Sequence, residues 1–337
     1  MPCRPHASSH NRCCAFIGSQ LVDALLARGD CVSGIDDFSL GRRAHVAAAT
    51  RHGSFHLLER DISKPADALE CMHAASAWQG VPDIVWHLAA NSDIPAGCHD
   101  PAIDFRKTLC TTFAVLEAAR AHGVKRIAFA SSSAVYGEHE GVLEEDSGPL
   151  LPISSYGATK LASEALLSAA AESFLDRVWI FRFPNVVGPR ATHGAMFDFI
   201  GRLATGPAAL TVLGDGSQRK PYLHVAELIG AMNFIVTHAQ GRRNVFNIGP
   251  EGEGTSVAYM AQRVIERMRP GTPISYSGGG RGWVGDVPRF RYSTVRLARL
   301  GWRPDMTSDE AVLRAIDELV SASDSARSLA QGGKGPK

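Results

Sequence analysis

Residues 13–30 read CCAFIGSQLVDALLARGD, and residues 31–38 continue as CVSGIDDF. From Phe16 onward the apolar side chains recur at helical spacing (Phe16, Ile17, Leu21, Val22, Leu25 and Leu26), so one face is apolar. Gly29 then breaks the pattern, and CVSGI is a short apolar strand ending in the acids Asp36 and Asp37. Such a helix, entered from a tight turn and followed by an acid-tipped strand, continues the first βαβ unit of a dinucleotide-binding fold after its phosphate loop. The segment before it does not match. At three-residue spacing ahead of Gly18, where glycines belong, stand Ala15 and Arg12, and the strand that should lead into them reads PHASSHN.

Strand and helix patterns alternate downstream. SFHLLERDI (54–62) is a strand ending in an acid, and PADALECMHAASAW has helical spacing. PDIVWHLAA (82–90) is a near-continuous apolar run, as suits a strand buried on both faces. A helix over about 100–122 leads to KRIAFASSSAVYG (125–137), a strand that runs into small residues. SYGATKLASEALLSAAAESF is another helix, and RVWIFRFPNVVGP a sixth strand stopped by prolines. Alternation of this kind predicts an α/β protein with a Rossmann-like, doubly wound parallel sheet. Beyond Asn185 glycine and proline become denser and the strands shorter, which predicts a smaller C-terminal α/β lobe over the carboxyl ends of the sheet. The expected division is 1–184 plus 223–250 for the cofactor domain, 185–222 plus 251–322 for the smaller lobe, and a mobile tail over 323–337.

The 337 residues are 45% apolar and 20% charged, an ordinary globular composition with room for two lobes around one core. A net charge of +1 gives no electrostatic reason to expect nucleic acid or an anionic membrane as partner. No apolar run reaches the roughly 18 residues that span a bilayer, and no secretory signal precedes the fold, so a cytoplasmic location is expected. Seven cysteines without a CxxC pair or regular framework predict reduced, mostly buried thiols and no metal site.

Tyr156 and Lys160 stand four apart on the helix that opens SSYGATK, so their side chains share a face. A cation held near a phenol stabilises the phenolate and turns it into an acid/base usable near neutral pH. Ser132 ends the preceding strand, where open α/β sheets place their ligands, and its hydroxyl can hand on a proton beside Tyr156.

FIGS, GIDDFSLG, RDI, HLAA, SSSAVYG, YGATK, NVVGPR, GDGSQRKPYLHV, VFNIG and RGWVGD occur in this order between about Ala15 and Leu319. In them the chain resembles the extended short-chain dehydrogenases/reductases, most closely the UDP-galactose 4-epimerase group of nucleotide-sugar epimerases. The resemblance implies NAD as cofactor. It makes Tyr156 the acid/base, has Lys160 hold the nicotinamide ribose, and has Ser132 bind the sugar hydroxyl. The adenosine ribose would fall to Asp36, with Asp37 beside it, and Asp61 and Ile62 would flank the adenine. Leu88, Ala89 and Ala90 would line the pyrophosphate and ribose path, and Phe16, Ile17, Gly18, Ser131 and Phe183 would also bind the cofactor. For the UDP-hexose it implies Asn185, Lys220 and Arg281 around the diphosphate and Phe290 as a gate beside the hexose. It also implies a homodimer, through a four-helix seam of helices at about 100–122 and 154–172.

Relatives that dehydrate their sugars carry an acid just after the catalytic hydroxyl, where this chain has Ser133 and Ala134. Reversible hydride transfer at C4 of UDP-galactose or UDP-glucose, through a transient 4-keto sugar, is therefore the implied reaction. A 4-keto-sugar reductase, another nucleotide-sugar epimerase, and a degenerate binder without catalysis are the alternatives. Phe290 favours plain hexoses over N-acetylated ones. The front end leaves two explanations. Residues up to about Cys14 are translated in a shifted frame: Asn-Arg-Cys-Cys encoded AAC CGG TGT TGC reads, one base later, Thr-Gly-Val-Ala. Or the loop has genuinely diverged. In either case PHASSHN is expected to make a poor central strand.

Overall fold

The computed structural model describes residues 7–139, 141–282 and 285–332. The first half of the chain forms β1 (Ala7–Asn11), α1 (Phe16–Ala27), β2 (Cys31–Asp36), β3 (Phe55–Glu59), α2 (Pro65–Gln79) and β4 (Ile84–His87). There follow α3 (Ile94–His99), α4 (Pro101–Asp104), a π-helical stretch (Phe105–Cys110), α5 (Thr111–Ala121), β5 (Arg126–Ala130), β6 (Val142–Leu143) and α6 (Ser155–Ser173). The second half continues with β7 (Arg177–Arg182), β8 (Asn185–Val187), α7 (Ala195–Ala204), β9 (Leu210–Val212), β10 (Arg219–Lys220), β11 (Tyr222–His224), α8 (Val225–His238) and β12 (Arg243–Asn247). It ends with β13 (Thr255–Ser256), α9 (Val257–Met268), β14 (Ile274–Tyr276), β15 (Arg291–Tyr292), α10 (Val295–Leu300) and α11 (Ser308–Gly332).

Seven strands make one parallel sheet in the order β12-β7-β5-β4-β1-β2-β3. Helices α1 and α8 cover one face, around Leu21, Leu25, Trp86, Trp179 and Phe181. Helices α2, α5 and α6 cover the other, around Ile127, Phe129, Leu167 and Val178. A separate core of Phe199, Leu203, Met260, Val264, Val312 and Ile316 holds the smaller lobe together. The expected sixth strand is divided. β7 belongs to the sheet, Pro184 follows it, and β8 pairs with β11 outside the sheet. Helix α11 continues to Gly332 where a tail was expected from 323, and residues 333–337 lie outside those described.

PHASSHN was expected to make a poor central strand, yet residues 7–11 form β1, paired on both sides. Backbone decides this. A parallel strand at the middle of a sheet satisfies its N–H and C=O groups on two ladders, each bond worth about 1 kcal/mol net, and its absence would strip β2 and β4 of a partner. Asp83 adds a fastener, accepting from Ala7 N through Oδ2 at 3.0 Å while its own amide donates to Ala7 O at 2.7 Å. Asn11 finds a use for its side chain. Its Oδ1 accepts from Leu88 N at 2.7 Å and Ala89 N at 2.8 Å, pinning the end of β4.

The cost falls on the other polar side chains. All five residues are buried, and Ser8 Oγ and both ring nitrogens of His10 have no hydrogen-bond partner, as is also true of Ser33 Oγ and Trp86 Nε1 on the flanking strands. Burial pushes His10 down to about 3, so the folded chain keeps it neutral. His87, buried in β4, is likewise pushed down to about 3, first by burial and then by Lys160, although Asn11 and Thr112 meet its ring nitrogens. Below about pH 6.5 the unfolded chain protonates both histidines and the folded chain does not, so stability falls as pH drops from 6.5 towards 3. His10→Val removes a buried, unpartnered ring and one of these two proton sinks. It should raise stability at pH 7 by about 1–3 kcal/mol, the cost of an unsatisfied buried polar group. In urea unfolding the gain should be larger at pH 5 than at pH 7; an equal gain at both values would contradict the burial argument.

Candidate active site

β1 and β4 are neighbours, and from them the chain winds to opposite ends of the sheet, so a crevice opens beyond their carboxyl ends. A cavity of about 250 Å³ lies there, lined among others by Arg12, Asp36, Asp61, Ile62, Ala89 and Ala90. The turn between β1 and α1 is built on Arg12 and Gly18. Arg12 stands where the first glycine was expected and takes φ +61°, the left-handed region, at roughly 1–2 kcal/mol for an L-residue. Its N–H and that of Cys13 donate to Ile35 O at 2.7 and 3.2 Å. Gly18 is required: a Cβ on it would come within 2.0 Å of Arg12 O. No side chain caps the N-terminus of α1, and its first turn carries no acid, so the free amides there suit a diphosphate. Phe16 is buried and Ile17 packs against the same core. The crevice and the uncapped helix thus fit a dinucleotide, while the second glycine position, Ala15, offers a less close approach.

Asp36, expected at the adenosine ribose, lines the cavity and already serves its own backbone. Its Oδ2 accepts from Cys14 N and its Oδ1 from Phe38 N, both at 2.8 Å. Burial raises its carboxyl, against those two hydrogen bonds and the nearby Arg12. Cys13 and Cys14 fill the space behind it with their sulfurs 3.5 Å apart, and burial holds the Cys13 thiol well above its usual range. Asp37 and Asp61 converge on Lys107 at 2.9 and 3.0 Å. Burial raises both acids, but serine hydrogen bonds and Lys107 win, and each carboxyl ends below its usual value. Ala89 and Ala90 border the same cavity, whereas Leu88 belongs to the hydrophobic core.

Helix α6 brings the expected catalytic groups to the carboxyl end of β5. Ser154 caps it, accepting from Gly157 N at 3.1 Å, and a Cβ on Gly157 would lie 2.4 Å from Ala134 O. The helix therefore starts hard against the turn that carries Ser132, Ser133 and Ala134. Ser132 accepts from Ala134 N at 3.2 Å and hydrogen-bonds Tyr156. Lys160 Nζ donates to Ala130 O at 2.5 Å and lies 5.9 Å from the Tyr156 ring centroid. The Tyr156 side chain is half-buried, and desolvation pushes its phenol up to about 12 against the Ser132 hydrogen bond. Burial, then the Arg12 charge, pushes Lys160 down to about 7, with Glu164 and Asp104 acting the other way. Desolvation outweighs the Ser132 hydrogen bond and the Arg12 charge, so the chain alone presents a protonated phenol, with Lys160 pushed down to about 7 on the same helix.

Ser131, expected among the cofactor-binding residues, donates to Glu164 Oε1 at 2.5 Å in the interior, and Phe183 packs on the core while its carbonyl accepts from Ser133 N at 3.0 Å. In the smaller lobe Asn185 is exposed at the start of β8. Lys220, expected on a phosphate, is buried in an ion pair with Asp286. Arg281 is an exposed side chain paired with Glu138. Positions 283–284 of its motif lie outside the described residues. Phe290 borders an open cavity of about 840 Å³ with Arg219, Arg289 and Arg291, its ring 5.8 Å from that of Tyr292. The sequence reading missed Arg12 as a crevice cation, Lys107 as the partner of two rim acids, and Glu164, although the Tyr156, Lys160, Glu164 spacing was visible.

A family model described as the NAD dependent epimerase/dehydratase family matches residues 15–249. The UDP-glucose 4-epimerase of Corynebacterium glutamicum is 30% identical over 325 residues, covering 91% of this chain and 93% of that protein. A solved structure of a UDP-galactose 4-epimerase is 33% identical, with a TM-score of 0.80 over 94% of this chain and 99% of that one. The UDP-glucose 4-epimerase of Thermus thermophilus, solved in complex with NAD, is 27% identical with a TM-score of 0.82 and the same coverage. No helix of the described residues is long and apolar enough to cross a membrane. The chain belongs to the NAD-dependent epimerase/dehydratase family, as an enzyme of the epimerase type that works with NAD.

Proposed function

We propose that the chain interconverts UDP-galactose and UDP-glucose at C4. The observation that carries this reading is the grouping of Ser132, Tyr156 and Lys160 where β5 meets α6, with Ser133 and Ala134 leaving no carboxylate for elimination. NAD supplies the hydride acceptor and donor when bound. Residues of the α1 N-terminus, the Asp36 to Asp61 rim and Ala89–Ala90 would hold it. Tyr156, having first passed its own proton to solvent, takes the proton of the C4 hydroxyl as the phenolate and later returns it, with Ser132 hydrogen-bonded to both. Asn185, Lys220, Arg281 and Phe290 are proposed around the UDP-hexose, where Lys220 must first loosen from Asp286. Tyr156→Phe should lower turnover of UDP-galactose by about 10²–10⁴-fold, the usual size of a lost acid/base group. Turnover of UDP-N-acetylgalactosamine as fast as UDP-galactose would overturn the role given to Phe290.

A second reading, a nucleotide-sugar binder without catalysis, is favoured by Arg12 in the phosphate loop. Titration calorimetry with NAD separates the two, since the binder should not take up NAD. Arg12→Gly relieves the left-handed backbone and should tighten NAD by about tenfold, the equivalent of 1.4 kcal/mol. Weaker binding would instead make the Arg12 guanidinium a diphosphate ligand. The shifted-frame explanation of residues up to Cys14 is supported by the unpartnered polar groups of β1. It is tested by reading the coding DNA for a Thr-Gly loop one base away.

A homodimer through the helices at 101–121 and 155–173 is proposed from the apolar side chains they leave exposed. Phe105 and Phe113 are 54% and 51% exposed. Phe113→Glu should convert a dimer into a monomer in sedimentation velocity, and an unchanged mass would place the seam elsewhere.

A further inference from the structure

Glu164 lies one helical turn beyond Lys160 and two beyond Tyr156, so the three side chains follow one face of α6. Its carboxylate is buried and fully occupied. Ser131 Oγ donates to Oε1 at 2.5 Å, and Arg182 closes a fork, Nε to Oε1 at 3.0 Å and Nη2 to Oε2 at 2.6 Å. Arg182 Nη1 reaches on to the Tyr136 hydroxyl and to Glu145 O, both at 3.1 Å, and the Tyr136 hydroxyl donates to Asn247 Oδ1 at 2.7 Å. The two consecutive residues where β5 ends are therefore both tied to α6, Ala130 through its carbonyl to Lys160 and Ser131 through its hydroxyl to Glu164. Ser132 is the next residue.

We propose that Glu164, locked in its fork by Arg182, is a positioning residue that fixes the Ala130–Ser132 strand end against α6, and with it the Ala130 carbonyl to which Lys160 donates. The proposal rests on the catalytic reading of Ser132, Tyr156 and Lys160 given above. The charged and titratable groups around Lys160 are Arg12 from the β1 turn, His87 from β4, Asp104 from α4, and Tyr156 and Glu164 from α6. His87 is neutral, and Arg12 favours loss of the lysine proton. Glu164, ahead of Asp104, favours keeping it. Without Glu164 the ammonium would be lost at lower pH, so the alkaline side of the activity profile should move in the acid direction.

The test is Glu164→Gln in the full chain. Two readouts are compared: the ¹³Cε titration of Lys160 by NMR without cofactor, and the pH profile of kcat for UDP-galactose with NAD. The Lys160 midpoint should fall by about 1 pH unit, the lower end of what one adjacent charge does. The alkaline limb of kcat should move with it, about tenfold at pH 8, with KM changed much less. A Lys160 midpoint that stays in place overturns the proposal, whatever happens to activity or thermal stability. Should Glu164→Gln not fold, the double variant Glu164→Gln/Arg182→Met leaves neither charge unpaired and carries the same comparison. Tyr156→Phe is measured in parallel. Retained activity there rejects the catalytic reading itself, whereas lost activity with an unmoved Lys160 midpoint in Glu164→Gln rejects only the positioning role.

Discussion

Two hydrogen-bond ladders meet on β1, and the crevice depends on them. With β1 seated between β2 and β4, the turn at Arg12 and the ends of β2 and β4 surround one hollow. Without it the sheet would be two separate halves. The requirement is for backbone, not for particular side chains, and so a strand spelled Ala-Ser-Ser-His-Asn can fill it. The side chains then divide by opportunity. Asn11, at the carboxyl end, finds three donors or acceptors around the end of β4. Ser8 and His10, further in, find none.

The parallel sheet was legible because apolar runs such as IVWH and RVWIF are written in local periodicity, and the Tyr156, Lys160 pair because four-residue spacing on a helix is itself a geometry. Ser132 followed from its place at a strand end. What the sequence could not show was competition between forces. How Lys160 acts on Tyr156 depends on how far both are desolvated and where Nζ turns, and in the folded chain Nζ turns to the Ala130 carbonyl. Asp36 was readable as the acid ending β2. Its two backbone donors come from the turn before α1 and from Phe38, and only the folded loop brings them together.

The smaller lobe was less legible for a related reason. Lys220 and Arg281 differ little as letters, yet Lys220 is buried against Asp286, 66 residues away in sequence, and Arg281 remains at the surface with Glu138. Long-range pairing of charges leaves no periodic trace. The Glu164–Arg182 fork is of the same kind. It links helix to strand across the layer, and neither residue stands out in a composition of ordinary charge.

Arg12 and Lys160 have a joint consequence. Arg12 lines the hollow and Lys160 is buried; burial first, and then the charge of the arginine, which does not titrate in the working range, make the lysine shed its proton early. An anion settling in the hollow beside Arg12 would offset its charge and draw a proton back onto the lysine. Filling the hollow and charging Lys160 are therefore thermodynamically linked, so an anionic ligand changes the protonation of the reaction centre as it binds, and solution pH alters how readily it enters.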